Sequence, residues 1–346
     1  MARTLDVLDR GQLADGPDVR AFEDAFSSYC DADHGVATAN GTTALHAALG
    51  ALGISRGDRV VTTPFSFVAT ANAIRLCGAE PVFADVDPVT FTLDPVEVRR
   101  AIEAADGDVD AILAVHLYGL PAPMEELREI ATEYDVALVE DAAQAHGATV
   151  DGRPVGALGD AGCFSFYPTK NATCGEGGMV VTDDEALADD VAQFVNHGRS
   201  DQYDHERVGH NFRLTSVGAA IGGAQLRKLP RYTAARRRVA ERYTEALSNV
   251  PSVDAPTEPP GMHHVYHQYT VRTEHRDELR DALADADVDT AVYYPTPIHR
   301  QPAYDREERF PVAERLASEV LSLPVHPDLT GAEVDRVATV LEGFQS

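Results

Sequence analysis

The chain has 346 residues, with 29 basic against 56 acidic side chains and a formal charge of −27. So acidic a balance argues against a nucleic-acid binder or a ligand of anionic membranes, since both need basic surface to neutralise phosphate. The 44% hydrophobic content is enough for a core, and the length suits one large domain with an appendage.

In chain order, the segment MARTLDVLDR carries charge where a signal peptide needs an apolar stretch. No apolar run approaches the roughly 18 residues that span a bilayer. A soluble, cytoplasmic protein is expected. Apolar positions at helical spacing predict a helix over 19–30, after the Gly16-Pro17 turn. A short strand at 36–38 leads through Asn40-Gly41-Thr42-Thr43 into an Ala/Leu-rich helix ending near 52. A strand, a Gly/Thr turn and a helix start together present free backbone N–H groups to an anion. Strands are predicted at 59–62, 81–84, 111–115, 137–139, 162–166 and 179–182, with helices at 70–76 and 125–134 between them. This alternation predicts a mainly parallel sheet covered on both faces, with ligands at the strand carboxyl ends. Beyond a helix at 218–227 the texture changes. A charged helix at 231–247, a Pro-rich loop at 251–260, a strand at 265–272 and an extended stretch at 292–297 predict a smaller α+β domain. The expected boundaries are 1–229 and 230–346.

Cys30, Cys77, Cys163 and Cys174 show no CxxC pair and no zinc spacing, so free thiols and no metal are expected. The acidity itself fits a salt-adapted cytoplasm, where the Debye length falls to about 3 Å at 1 M salt.

Two segments carry chemistry. Glu140-Asp141 ends an apolar strand, where a carboxylate is costly to desolvate unless it caps the next helix or faces a cation. Lys170 lies in FSFYPTKN, ahead of GEGG, and only Lys170 and Lys228 are lysines. Where arginine has replaced lysine almost everywhere, a retained lysine suggests an amine that must lose its proton, which arginine cannot do. That favours a Schiff base at Lys170, while Lys228 reads as an exposed hinge residue. A Schiff-base lysine, an aspartate on a strand end and a Gly/Thr helix start together suggest pyridoxal 5′-phosphate.

The sequence resembles the DegT/DnrJ/EryC1/StrS sugar aminotransferases, of fold type I among pyridoxal phosphate enzymes. The segments that carry the likeness include ANGTTALHAAL, PFSFVATANAI, LVEDAAQAHGA, FSFYPTKN, GHNFRLTSVGAAIGGAQL and YYPTPIHRQPAY, and they extend over nearly the whole chain. The resemblance implies that Lys170 holds the cofactor and moves the proton, and that Asp141 pairs with the pyridine nitrogen. Gln144 would meet the ring or its 3-hydroxyl, and Phe67 would stack on the ring face. Gly41, Thr42, Thr43 and Ser165 would hold the phosphate, with Asn211 reaching it from a second subunit of a homodimer. Tyr294, His299 and Arg213 would border the sugar or its diphosphate, and Arg199 would add positive charge. The implied reaction moves an amino group, from a donor such as L-glutamate, to a keto sugar nucleotide for glycan or polysaccharide biosynthesis. An aminotransferase of a cyclitol or other non-nucleotide ketone is the alternative, as is a non-catalytic pyridoxal phosphate-binding regulator. A related dehydratase branch has histidine for the lysine, so Lys170 favours transamination. The chain also has fewer residues ahead of Leu5 than the family usually carries, which places the N-terminal edge of the nucleotide site in question.

Overall fold

The computed structural model describes residues 2–201 and 203–344. Its elements run α1 (Ala2–Arg10), α2 (Pro17–Tyr29), β1 (His34–Thr38), α3 (Gly41–Ala51), β2 (Arg59–Thr62), α4 (Ala69–Leu76), β3 (Glu80–Phe83), α5 (Pro95–Ala104), β4 (Ala111–Val115), α6 (Met124–Tyr134) and β5 (Ala137–Asp141). The short strands β6 (Thr149–Val150) and β7 (Arg153–Pro154) precede β8 (Ala161–Ser165), β9 (Gly178–Thr182), α7 (Glu185–Val195), α8 (Ser216–Leu226) and α9 (Leu229–Leu247). The remainder holds β10 (Met262–His263), β11 (Tyr269–Arg272), α10 (Arg276–Asp285), α11 (Pro311–Glu319), β12 (Val320–Leu323) and α12 (Gly331–Gly343).

The central sheet has seven strands in the order β1-β9-β8-β5-β4-β2-β3. The ladders linking β3, β2, β4, β5 and β8 are parallel, and β9 alone runs against both its neighbours. The mainly parallel expectation holds, with that one reversed strand. Its reversal follows from the 166–177 connection, which carries Lys170 and returns beside β8 with no crossover helix. β4, β8 and β9 are buried along their whole length, as strands covered on both faces must be. Two apolar layers do the covering. One packs Phe22, Phe26, Phe164 and Phe166 under α2 and α6, and the other packs Leu45, Leu49 and Ile74 under α3 and α4.

A third core gathers Tyr243, Tyr269, Leu279 and Leu341 from α9, β11, α10 and α12. A smaller cluster joins Phe65, Val115 and Tyr118 to Leu316 and Val320, so the C-terminal elements pack against the carboxyl ends of the sheet. Asp85 fastens this junction by accepting from the N–H groups of Val312 and Ala313 at the start of α11, each at 2.9 Å.

The sequence predicts no element ahead of residue 19, yet α1 forms there. Its anchor is Asp18, buried at the start of α2, which accepts from Arg3 at 2.7 Å and Arg10 at 2.6 Å. The stretch at 292–297, expected to be extended, is instead bent, with Tyr294 in the left-handed region, and joins no ladder strand; Ala291 makes an isolated bridge to Ser322. All four cysteines are free thiols. Among the described residues no helix is long and apolar enough to cross a membrane, and no cluster of His, Cys, Asp and Glu is arranged to hold a metal.

Candidate active site

A cleft of about 1240 Å³ opens at the carboxyl ends of β4, β5 and β8, where a parallel sheet leaves room for a ligand. Its wall holds Lys170, Asp141, Gln144, Ser165, Phe67 and Tyr294, residues more than 200 positions apart in the chain at the extremes.

Glu140 and Asp141 are adjacent, and strand alternation sends them to opposite faces of the sheet. Glu140 points inward and is fully buried. It accepts from the N–H groups of Gly156, Leu158 and Gly159 at 2.7–2.8 Å and from His116 Nε2 at 2.9 Å. The His116 tautomer is settled by its other nitrogen, which accepts from the N–H of Ala122 at 2.9 Å. Burial works to raise the Glu140 carboxyl, but these donors together hold it below the usual carboxylate range.

Asp141 faces the cleft with fewer partners. Its Oδ2 accepts from the Thr70 hydroxyl at 2.8 Å, and Oδ1 accepts weakly from the Ala143 N–H at 3.3 Å. Burial pushes this carboxyl above its ordinary range, opposed by Thr70, Ala143 and Lys170. An acid so placed gains from a cation brought into the cleft, as a protonated pyridine nitrogen would be. Thr70 was not singled out by the sequence. The segment PFSFVATANAI contains it, but only the fold brings it to a carboxylate 71 residues away.

Lys170 sits in the β8–β9 connection, held by a turn in which its N–H donates to the Tyr167 carbonyl at 2.9 Å. Burial lowers its ammonium from the ordinary lysine value, partly opposed by Asp141. No hydrogen bond to its Nζ is found among the described residues. Burial thus weakens its hold on the proton, the direction that favours a carbonyl-trapping nucleophile. Behind it lie His146, Asn171 and His267, all buried. His267 lines the cleft and pairs through Nδ1 with Asn171 Oδ1 at 3.2 Å.

The other end of the cleft is the start of α3. Asn40 caps it, accepting from the Thr43 N–H at 3.0 Å, while the Thr43 hydroxyl bonds back to the N–H and carbonyl of Asn40. The Thr43 side chain is thus spent within the cap, against the expectation that it holds phosphate. The N–H groups of Gly41 and Thr42, with the Thr42 and Ser165 hydroxyls, remain for an anion. Gly41 approaches Ser165 so closely that a Cβ would lie 2.7 Å from the serine Cβ. That is a cradle shaped by the absence of a side chain.

Phe67 is 56% exposed and projects into the cleft, 6.5 Å from the Tyr294 ring. Gln144 is engaged at both ends, accepting from the Tyr118 N–H and donating to the Tyr294 hydroxyl, each at 2.7 Å.

Four expected residues lie elsewhere. His299 is fully buried outside the cleft wall, packed on Phe310 and bonded to Glu314 at 3.1 Å; Ile298 is the neighbour that lines the cleft. Arg213 donates to Asn196. Asn211 is exposed and forms a bridge with Asn196, and Arg199 pairs with His205 in the same arm. None of these three lines the cleft of its own chain, whose described wall offers Lys170 as its cation.

The fold agrees with comparisons to known proteins. The model of the DegT/DnrJ/EryC1/StrS aminotransferase family matches residues 1–342. The chain belongs to that family. As a member it is a pyridoxal 5′-phosphate enzyme, and a structural relative from Bacillus subtilis is described with bound cofactor pmp. Among its relatives, a "Pleiotropic regulatory protein" of Geobacillus stearothermophilus is 42% identical over 99% of this chain and 93% of its own. A UDP-N-acetyl-3-dehydro-alpha-D-glucosamine 3-aminotransferase of Acidithiobacillus ferrooxidans is 41% identical over 97% of this chain and 90% of its own. The crystal structure of S. venezuelae DesV in complex with a ketimine intermediate superposes with a TM-score of 0.95 at 40% identity, covering 99% of this chain and 93% of that one.

Proposed function

We propose that the chain transfers an amino group from an amino acid, L-glutamate, to the keto group of a sugar nucleotide, as a homodimer whose subunits complete each other's sites. The observation that carries the reading is one cleft holding Lys170, Asp141 and the free N-terminus of α3. The Acidithiobacillus relative, a 3-aminotransferase of a UDP-linked sugar, supports the substrate class.

The residues fit the cofactor. The cradle at Gly41, Thr42 and Ser165 would take its phosphate, Phe67 its ring face, Asp141 its nitrogen and Lys170 its aldehyde. When bound, pyridoxal phosphate supplies an electron sink for charge developing on the donor carbon. Lys170 Nζ would take the proton from that carbon and pass it to the cofactor within the first half-reaction, and would move a proton the opposite way, to the sugar carbon, in the second. Burial lowers its proton affinity, the direction that helps an amine act as a base. Asp141, kept charged by a cation opposite it, would hold the ring nitrogen protonated. Phe67 and Tyr294 exclude water from one side of the cleft. Asn211 of the second subunit would reach the cofactor phosphate, and the sugar diphosphate would meet Arg213 of that subunit together with backbone donors, since the described wall of one chain lacks arginine.

Incubating the cofactor-loaded protein with L-glutamate and a panel of keto-sugar nucleotides, read by mass spectrometry, tests this. An amino sugar nucleotide is expected. Product only from cyclitol ketones would move the substrate class. The −27 charge supports a protein of salty cytoplasm, and its melting temperature should rise between low and molar salt.

A further inference from the structure

We propose that the Tyr294 hydroxyl joins the Gln144 amide in a two-donor seat for a negatively polarised oxygen on the inner wall of the cleft. The inference rests on the aminotransferase reading above and adds a role for Tyr294 that the resemblance left at the border of the sugar.

The argument starts from a backbone group. The Tyr118 N–H can only donate, and it meets one end of the Gln144 amide at 2.7 Å. That end must be the oxygen, which settles an orientation that a side-chain amide usually leaves open. The other end is therefore the nitrogen, 2.7 Å from the Tyr294 hydroxyl oxygen. An amide nitrogen only donates, so the tyrosine oxygen accepts. Its own proton is left to point elsewhere, and so is the second amide hydrogen.

The cleft receives them. Gln144 and Tyr294 share its wall with Asp141 and Lys170. Asp141 is not the acceptor, since its oxygens meet Thr70 and Ala143 and no bond joins it to Tyr294 among the described residues. The phenol stays protonated, because burial and the nearby Asp141 and Tyr293 raise its proton affinity beyond what Gln144 lowers. The titratable neighbours of the seat are Asp141, Lys170, Tyr118 and Tyr293.

The arrangement is held against local preference. Tyr118 and Tyr294 both have left-handed backbone, at φ 57° and 63°, which bulky residues rarely adopt. Their rings stack 6.2 Å apart at an interplanar angle of 5°, and the Tyr118 hydroxyl donates to the Tyr293 carbonyl at 3.1 Å. Strain kept in place by this many contacts is characteristic of a functional geometry.

Two oxygens have the chemistry to occupy the seat, the ring oxygen of the cofactor and the keto oxygen of the sugar. Visible absorbance of the cofactor-loaded protein against pH distinguishes them, for wild type, Tyr294→Phe, Gln144→Leu and the double variant. A donor to the ring oxygen favours the deprotonated chromophore. Removing it with Tyr294→Phe should raise the proton's binding constant about tenfold. If the absorbance transition stays put while kcat/KM for the keto sugar falls about tenfold and the amino-acid half-reaction is unchanged, the oxygen is the sugar's. If neither moves, the seat is overturned. Because Gln144 aims the Tyr294 proton, the double variant should lose less than the sum of the single losses, and full additivity would overturn the aiming. Should Tyr294→Phe melt early, Gln144→Leu, which spares the ring, carries the same expectation. A wild type with no visible absorbance would instead remove the functional reading on which the seat rests.

Discussion

Two regions carry the residues that the family likeness assigns to the site, and they are built in opposite ways. The floor of the cleft, at the ends of β4, β5 and β8, is closed within one chain: Glu140, His116, Thr70, Gln144 and Tyr118 satisfy one another or the backbone. The arm between 196 and 211 is tied to itself by bridges from Asn196 to Asn211 and from Arg199 to His205. Yet it turns outward, leaving Val208 91% exposed and Asn211 away from its own cleft. The floor positions chemistry through internal hydrogen bonds. The arm spends several polar side chains on its own chain, Arg199 on the Asp201 carbonyl, His205 on the His197 carbonyl and Arg207 on Asp190, while Asn211 is left exposed.

The largest test of this contrast is Lys170→Ala, which should abolish the visible absorbance of the bound cofactor and lower turnover by roughly three or more orders of magnitude. Absorbance that survives would break the assignment of the floor. Next comes Glu140→Ala, which strands three backbone N–H groups and His116 in a fully buried place. Urea unfolding should show a loss of about 3–5 kcal/mol, and a loss below about 1 kcal/mol would mean that the floor is not held from below. For the arm, Asn211→Ala should weaken cofactor binding about tenfold while leaving the melting of the cofactor-free protein unchanged. Mixing it with Lys170→Ala subunits sharpens the comparison, since a hybrid dimer should regain one intact site. No effect on cofactor affinity would detach the arm from the site. The smallest effect lies outside both regions. Burial raises the Glu23 carboxyl to about 7, against the Arg20 charge and the Ala37 N–H. An acid whose folded value is raised binds more protons folded than unfolded, so its cost to stability grows as pH climbs from about 4.5 to about 7 and then levels. Glu23→Gln should therefore stabilise by roughly 1–3 kcal/mol above neutrality and not at all at acid pH, as read from paired denaturation curves.

The strand-and-helix alternation was legible because each parallel strand is a short apolar run ended by polar residues. Lys170 and Asp141 drew notice in the sequence, one as a lysine kept where arginine is the rule and the other as a carboxylate ending an apolar strand, and the fold brings both to one cleft. What escaped the sequence depends on direction rather than type. His299 and Ile298 are adjacent, and only the fold decides that the isoleucine faces the cleft while the histidine packs on Phe310. Thr43 matches a phosphate ligand in composition, but the nearer partner, Asn40, claims it. Thr70 and α1 were invisible because each owes its role to a distant carboxylate, Asp141 in one case and Asp18 in the other.

The cap on α3 has a consequence for how the chain tolerates change. With Thr43 consumed by Asn40, half of the anion seat is main chain, the N–H groups of Gly41 and Thr42, which any residue but proline supplies. Drift among the side chains of the helix start should cost little, provided the cap survives. Gly41 is the exception, since even one methyl group would press on Ser165. A saturation scan of this turn would thus find a permissive stretch interrupted by one position that accepts no substitute, and that position marks the phosphate more sharply than any charged residue does.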